Sequence, residues 1–177
     1  TYYTGSSGKM YGPIVDYNGN IIDCNNDGYL QCIDQNKTLK WQTYIEDSIA
    51  YSYPAIDNNG DIYITNTNGK LISLYSNGTI KWKKGTSISG SSSPCIDELG
   101  NVYVGGDDNY LYSYYSNGTI RWKYFTNDVI KSSPSLNNNN DIIFSSEDHY
   151  IYCLYPNGNL KWKYKTNDSI SYSSPAI

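Results

Sequence analysis

"SNGTIKW" (Ser76–Trp82), "SNGTIRW" (Ser116–Trp122) and "PNGNLKW" (Pro156–Trp162) are three copies of one phrase, and "QNKTLKW" (Gln35–Trp41) is a looser fourth. Their tryptophans lie 41, 40 and 40 residues apart. A second marker keeps the same beat. "GPIV", "YPAI", "SPCI", "SPSL" and "SPAI" put prolines at 13, 54, 94, 134 and 175, which are 41, 40, 40 and 41 residues apart. A fixed period of 20–50 residues is the mark of a repeat architecture.

The unit Ser93–Trp122 shows what is repeated. "SPCI" is short and apolar, "VYVG" and "LYSYY" alternate in β-formers, and "TIRWKYF" follows the Asn-Gly pair. "DELGN" and "GDDN" are turn-rich. Asn-Gly between alternating runs predicts a hairpin with a type I′ turn, which needs two residues at positive φ. The apolar period is two throughout, so no helix is expected. Each unit reads as four short strands joined by tight turns. Such units, repeated every 40 or so residues, predict an all-β chain: a β-propeller of four-stranded antiparallel blades. Blades are expected at about 12–52, 53–92, 93–132 and 133–172, within a single propeller segment spanning 1–177. A β-solenoid has shorter coils, and an immunoglobulin-like array has longer units. On this reading Trp41, Trp82, Trp122 and Trp162 lie on outer strands and wedge between blades. A tryptophan can bury about 200 Å2 there. Stacking against a sugar or cofactor is the competing use of these rings.

Composition narrows the function. Charged residues make up 17% of the chain and the formal net charge is −4, which argues against nucleic acid. No apolar run approaches the roughly 18 residues of a membrane span. Cys24, Cys32, Cys95 and Cys153 include no CxxC pair, and His149 is the single histidine, so a zinc site is not expected. The cysteines read as small buried residues. The sequons at Asn36, Asn77, Asn117 and Asn167 fall in turns.

The pattern "SSP-A/S-I … G-x-I/V-Y-V … L-Y-S-L … N-G-T-I-x-W" resembles the quinoprotein-type repeat from about Gly12 to Ile177. That repeat occurs in pyrroloquinoline quinone dehydrogenases and in propellers that bind no quinone. The resemblance implies a ring of seven or eight blades. Thr1–Thr4 would then be the tail of an earlier outer strand, and Ser171–Ile177 the inner strand of a further blade. The enzyme branch implies calcium-binding carboxylates, a catalytic aspartate, an arginine, a stacking tryptophan and often a disulfide between adjacent cysteines. No cysteines are adjacent here, the segments at the prolines carry no charge, and the one arginine, Arg121, adjoins a repeat tryptophan. The expectation is the non-catalytic branch: no catalytic residue and no cofactor.

The charges sort by position. Numbering the strands of a blade A to D from the inside, the B–C turns carry Asp27, Asp107, Asp108, Glu147 and Asp148, and the D–A connections carry Glu46, Asp47, Asp128 and Asp168. These nine of 17 acids should share one face. That face is the candidate site for calcium or for a protein partner, although Asp and Asn also suit turns for backbone reasons. Nine of 13 basic residues fall on outer strands: Lys40, Lys81, Lys83, Lys84, Arg121, Lys123, Lys161, Lys163 and Lys165. Lysine on a free edge discourages edge-to-edge pairing; binding an anionic partner around the rim is the competing use. The leading functional expectation is a binding or scaffolding propeller for a protein partner, exposed outside the cell, at a cell envelope or on a virion surface. A fragment of a quinone-dependent dehydrogenase and a lectin-like carbohydrate-binding propeller are the alternatives.

Overall fold

The computed structural model describes residues 11–25, 27–47, 52–85, 87–168, 170 and 174–175. The described residues form sixteen strands in four antiparallel sheets of four, each in simple meander order. The first sheet is β1 (Tyr11–Val15), β2 (Ile21–Cys24), β3 (Tyr29–Ile33) and β4 (Leu39–Tyr44). The second is β5 (Ala55–Ile56), β6 (Ile62–Thr65), β7 (Leu71–Leu74) and β8 (Ile80–Lys84). The third is β9 (Cys95–Ile96), β10 (Val102–Gly105), β11 (Tyr110–Tyr114) and β12 (Ile120–Phe125). The fourth is β13 (Ser135–Leu136), β14 (Ile142–Ser146), β15 (Tyr150–Leu154) and β16 (Leu160–Lys165). The strand tail expected at Thr1–Thr4, and most of the strand expected at Ser171–Ile177, lie outside the described residues.

Alternation along each middle strand serves two interfaces, because the sheets stack face to face. In β6, Ile62 and Ile64 join a core shared with the first blade, whereas Tyr63 joins a core shared with the third. Tyr103 of β10 likewise turns toward Phe144 and Tyr152 of the fourth blade. Hence all four residues of β6, β7 and β10 are buried, although their period is two. Each fully buried Ile or Leu contributes roughly 1.5–3 kcal/mol.

The turns differ from the expected type. In the outer hairpin of the second blade, Gly78 N–H donates to Tyr75 O (2.9 Å) and Tyr75 N–H to Thr79 O (2.8 Å). Of the turn residues only Gly78 has positive φ, at 84°. This is a type I turn closed by one left-handed residue, not a type I′ turn. A three-residue loop of this kind needs one permissive position, which the glycine fills. The Asn77 side chain accepts the Thr79 N–H (2.9 Å) and braces the turn.

The repeated phrase is a coupling device between blades. Trp41, Trp82 and Trp122 donate their indole N–H to the carbonyls of Ser76, Ser116 and Pro156, at 3.1, 2.9 and 3.0 Å. Each acceptor lies in the outer turn of the next blade. Each indole also lies over that turn's glycine: a Cβ added to Gly78, Gly118 or Gly158 would come within 2.5, 2.8 or 2.7 Å of the ring. Lys37 holds the same place in the first blade, at φ 66°, and among the described residues no indole lies over it. Opposite each tryptophan, β3, β7, β11 and β15 place a small residue, Cys32, Ser73, Ser113 or Cys153. The expected burial needs correction. Trp41, Trp82 and Trp122 are partly buried, and Trp162, for which no bond to another blade's turn is found among the described residues, is 43% exposed.

A second coupling runs along the inner strands. Ser93 Oγ accepts the Tyr53 N–H (2.8 Å) and Ser133 Oγ accepts the Ser93 N–H (2.9 Å), each 40 residues away. Ser92 Oγ donates to Ser132 O at 2.9 Å. The Ser-Ser that precedes Pro94 and Pro134 thus forms a ladder between blades. β5, β9 and β13 are only two residues long. All four cysteines are free thiols. Burial, followed by the neighbouring Asp23 charge, pushes the Cys24 thiol up to about 12.

Candidate functional site

The B–C turns and D–A connections share one face, where they interleave. Ile45 N–H donates to Gly28 O (2.8 Å), Ile88 N–H to Gly69 O (3.0 Å) and Asp107 N–H to Ser87 O (2.8 Å). Ile130 N–H then donates to Gly106 O (3.0 Å) and Glu147 N–H to Val129 O (3.0 Å). The bonds from Ile45, Ile88 and Ile130 tie each connection to the turn of the blade it leaves. Those from Asp107 and Glu147, with Asn66 Nδ2 donating to Ile45 O (3.2 Å), carry on to the next blade, so the loops are linked in series as one belt.

The predicted acids occupy this belt in different ways. Asp27, Asp107, Asp128 and Asp168 are exposed. Glu147 is paired with Lys131 at 2.9 Å. Asp148 accepts the Tyr152 hydroxyl (2.6 Å) and the Asn127 N–H (3.0 Å). Asp47 accepts the Thr67 hydroxyl at 2.8 Å. Asp108 Oδ2 accepts the Tyr112 hydroxyl at 2.6 Å, while its Oδ1 is buried without a hydrogen-bond partner. Burial and the Asp108 bond together hold the Tyr112 phenol well above its ordinary range. Asp107 and Asp108 line one cleft, Asp27 belongs to the first blade, and Glu147 and Asp148 belong to the fourth. Among the described residues no three His, Cys, Asp or Glu side chains gather as metal ligands. His149 is an exposed turn residue at φ 72°, and its carbonyl accepts the Thr166 N–H at 2.7 Å.

Between the second and third blades the belt opens. A cleft of about 400 Å3 lies among Thr67, Asn68, Gly69, Ser87, Asp107 and Asp108. It shares Ser87, Ile88 and Asp108 with a groove of about 490 Å3 that runs down between the blades. Lys84, Tyr112, Tyr114 and Thr119 line that groove. The Tyr112 and Tyr114 rings are stacked, with centroids 5.8 Å apart and planes 21° apart. Neither Tyr112 nor Tyr114 was singled out as a binding residue from sequence, and Lys84 was read only as one of the outer-strand cations. The available signal was "KWKKG" aligned with "RWKYF" and "KWKYK", where Lys84 and Gly85 replace longer or aromatic side chains.

The outer-strand cations are more engaged than an edge-protecting role requires. In every blade the outer hairpin carries a bulge, which leaves Lys40, Lys81, Arg121 or Lys161 unpaired beside the tryptophan. A bulge re-aims its side chain. Lys81 reaches Asp61, and Lys161 reaches Asp141 at 2.7 Å. Arg121 donates to the Tyr103 hydroxyl (3.2 Å) and to Pro156 O of the next blade (2.8 Å). Lys123 and Lys163 sit over the Tyr110 and Tyr150 rings, at 4.1 and 4.6 Å. In the second blade Lys70 replaces that tyrosine, and Glu46 bridges Lys70 (3.1 Å) and Lys83 (2.5 Å).

No protein-family model and no curated protein matches the sequence. Solved structures do match, and they are β-propellers. BamB from Moraxella catarrhalis is 20% identical, with a TM-score of 0.71, over 89% of this chain and 52% of its own. The C-terminal WD40 domain of Sif2 is 16% identical, with a TM-score of 0.78, over 96% of this chain and 50% of its own. A streptogramin B lyase is 15% identical, with a TM-score of 0.72, over 89% of this chain and 55% of its own. The chain therefore spans about half the length of the structures it matches, and the fold is a β-propeller of four-stranded blades. A lyase appears beside BamB and a WD40 domain, so the fold by itself does not select a chemistry.

Proposed function

We propose that the chain is a non-catalytic propeller module, built on quinoprotein-type repeats, that binds a protein partner through its acidic loop face. One observation carries this reading. Exposed Asp27, Asp107 and Asp128 stand on turns and connections that hydrogen bonds link in series from blade to blade, and exposed Asp168 on a segment tied to the fourth blade's own turn through Thr166. Such an array is a fixed pattern of charge, and complementary charge steers and orients a partner. The partner that fits is basic. The placement of Arg121 supports the non-catalytic branch: the guanidinium is spent on Tyr103 and Pro156, in the outer hairpin rather than at the inner strands. The BamB and WD40 likenesses agree with an interaction role.

The test is a binding screen of the whole chain against arrayed basic, neutral and acidic peptides. Basic peptides should bind with a steep loss of affinity as salt rises. Asp27→Asn/Asp107→Asn/Asp128→Asn should weaken that binding at least tenfold without changing the melting temperature by more than a few degrees. Equal binding by acidic peptides would sink the acidic-face reading. Calcium-dependent dye reduction with added quinone would favour the dehydrogenase, and saturable glycan binding the lectin.

A further inference from the structure

The groove between the second and third blades is the space of a missing ring, and the next interface shows which ring. Lys84 pairs with Leu71 in the second blade as Tyr124 pairs with Leu111 in the third, so the two hold the same position in their repeats. Tyr124 fills the corresponding interface. Its ring packs against Phe144 and Tyr152 of the fourth blade, with centroids 6.4 and 5.8 Å away. Burial, and then the Asp148 charge, raise its phenol above the ordinary range. Asp148 and Asp108 are also equivalents: each accepts the hydroxyl of the tyrosine four residues on, Tyr152 or Tyr112, at 2.6 Å.

One ring is therefore absent from the earlier interface, since Lys84 stands in place of Tyr124. Val104, which pairs with Tyr112, stands in place of Phe144, which pairs with Tyr152, but Tyr114, where the fourth blade has Leu154, supplies the ring that stacks on Tyr112 as Phe144 stacks on Tyr152. The wall that would receive the missing ring is present, and Trp82 lies 6.4 Å behind Tyr114. Lys84 is exposed and does not close the opening. At the loop end Asp108 lines the groove, and its carboxylate, whose Oδ1 is buried beside Gly106 without a partner, has acceptor capacity to spare.

We propose that this groove is a docking slot for a tyrosine side chain presented by the protein partner. The assignment rests on the protein-binding reading above and specifies one anchor within it. The ring lies against Tyr112 and Tyr114, as Tyr124 lies against Tyr152, and its hydroxyl donates to Asp108. Tyrosine is well suited to anchoring an interface, since it combines a large apolar body with a polar tip. Asp108 selects the neutral phenol and repels a phosphorylated one.

The experiment is an amide-shift titration of the whole chain with p-cresol and with the acetylated, amidated peptide Gly-Tyr-Gly. A ligand of this size binds with a Kd on the order of millimolar. Shifts should saturate and map to Ser87, Asp108, Tyr112 and Thr119. The peptide carrying phosphotyrosine should bind at least tenfold more weakly. Lys84→Tyr supplies the ring from within and should weaken the peptide at least tenfold, with the remaining amide spectrum unchanged. Shifts that fail to saturate, or that map to another interface, would overturn the assignment. So would tighter binding of phosphotyrosine, which would make Lys84 the anchor, or unchanged binding by the Lys84→Tyr variant. Because p-cresol carries no charge, failure here leaves the basic-peptide result standing, and the converse also holds.

Discussion

Alanine at Gly158 tests the coupling between blades directly. Gly158 has φ +88°, and its added Cβ would lie 2.7 Å from Cδ2 of Trp122. Gly100 is the control: its φ is +80°, but the nearest atom to an added Cβ, Ser116 Cβ, is 3.7 Å away. Alanine in the left-handed region costs about 1–2 kcal/mol at either site. At Gly158 the overlap adds about 1–3 kcal/mol, because the indole cannot slide aside without lengthening its bond to Pro156. Gly158→Ala should therefore lose about 2–5 kcal/mol and Gly100→Ala about 1–2 kcal/mol. Urea denaturation gives both values. Trp122→Ala alone should cost about 3–5 kcal/mol, by opening a cavity. In Trp122→Ala/Gly158→Ala the overlap has nothing to strike, so the double variant should fall short of the sum by about 1–3 kcal/mol. Equal losses at Gly158 and Gly100, or strict additivity in the double variant, would refute the stacked-indole account.

Three further outcomes are expected. Ser132→Ala removes the hydroxyl that accepts the Ser145 N–H at 3.0 Å and donates to Ser145 O at 2.8 Å, so urea denaturation should show a loss of about 1–3 kcal/mol. Burial holds the Cys24 and Cys95 thiols up, to about 12 and about 11, so at pH 8 native protein should be alkylated at these sites far more slowly than urea-unfolded protein, as read by mass spectrometry. Bonds from Lys161, then Asn137, hold the Asp141 carboxyl below its ordinary value of 3.8, so its contribution is full above that value and fades as pH falls through the lowered one. The gap in melting temperature between parent and Asp141→Asn should accordingly narrow from pH 7 to pH 3, and a constant gap would contradict the pairing.

The repeat was legible because two markers, Trp and Pro, keep one period, and because strand alternation survives within every unit. The common face of the B–C and D–A loops followed from meander order alone. What stayed hidden depends on contacts 34 to 40 residues away. Asn-Gly signals a hairpin, but the choice between type I′ and a type I turn with one left-handed residue is made by hairpin register. Trp162 shares the Asn-Gly and Trp-Lys-Tyr of the Trp122 repeat yet differs in exposure, since burial of the ring depends on contacts outside its own unit. The lysines beside the tryptophans read as edge charges because a bulge that turns them inward leaves no residue signature. The acidic turns were placed on the right face, yet their occupation by Lys131, Thr67 and Tyr152 needed coordinates. Lys84 was visible as an outlier in the alignment of units, but only the Tyr124 contacts show what its substitution vacates.

The indole-to-turn bond also gives the array a direction. Each of the first three units offers a ring to the turn of the next, so the four described blades are joined head to tail by three like linkages. A crossover between two copies of the phrase in a duplicated gene would add or remove one whole unit in frame. The new neighbours would meet through a bond that already exists elsewhere in the chain. Length in such a protein can change by recombination without inventing an interface, while a substitution inside one unit alters a single seam.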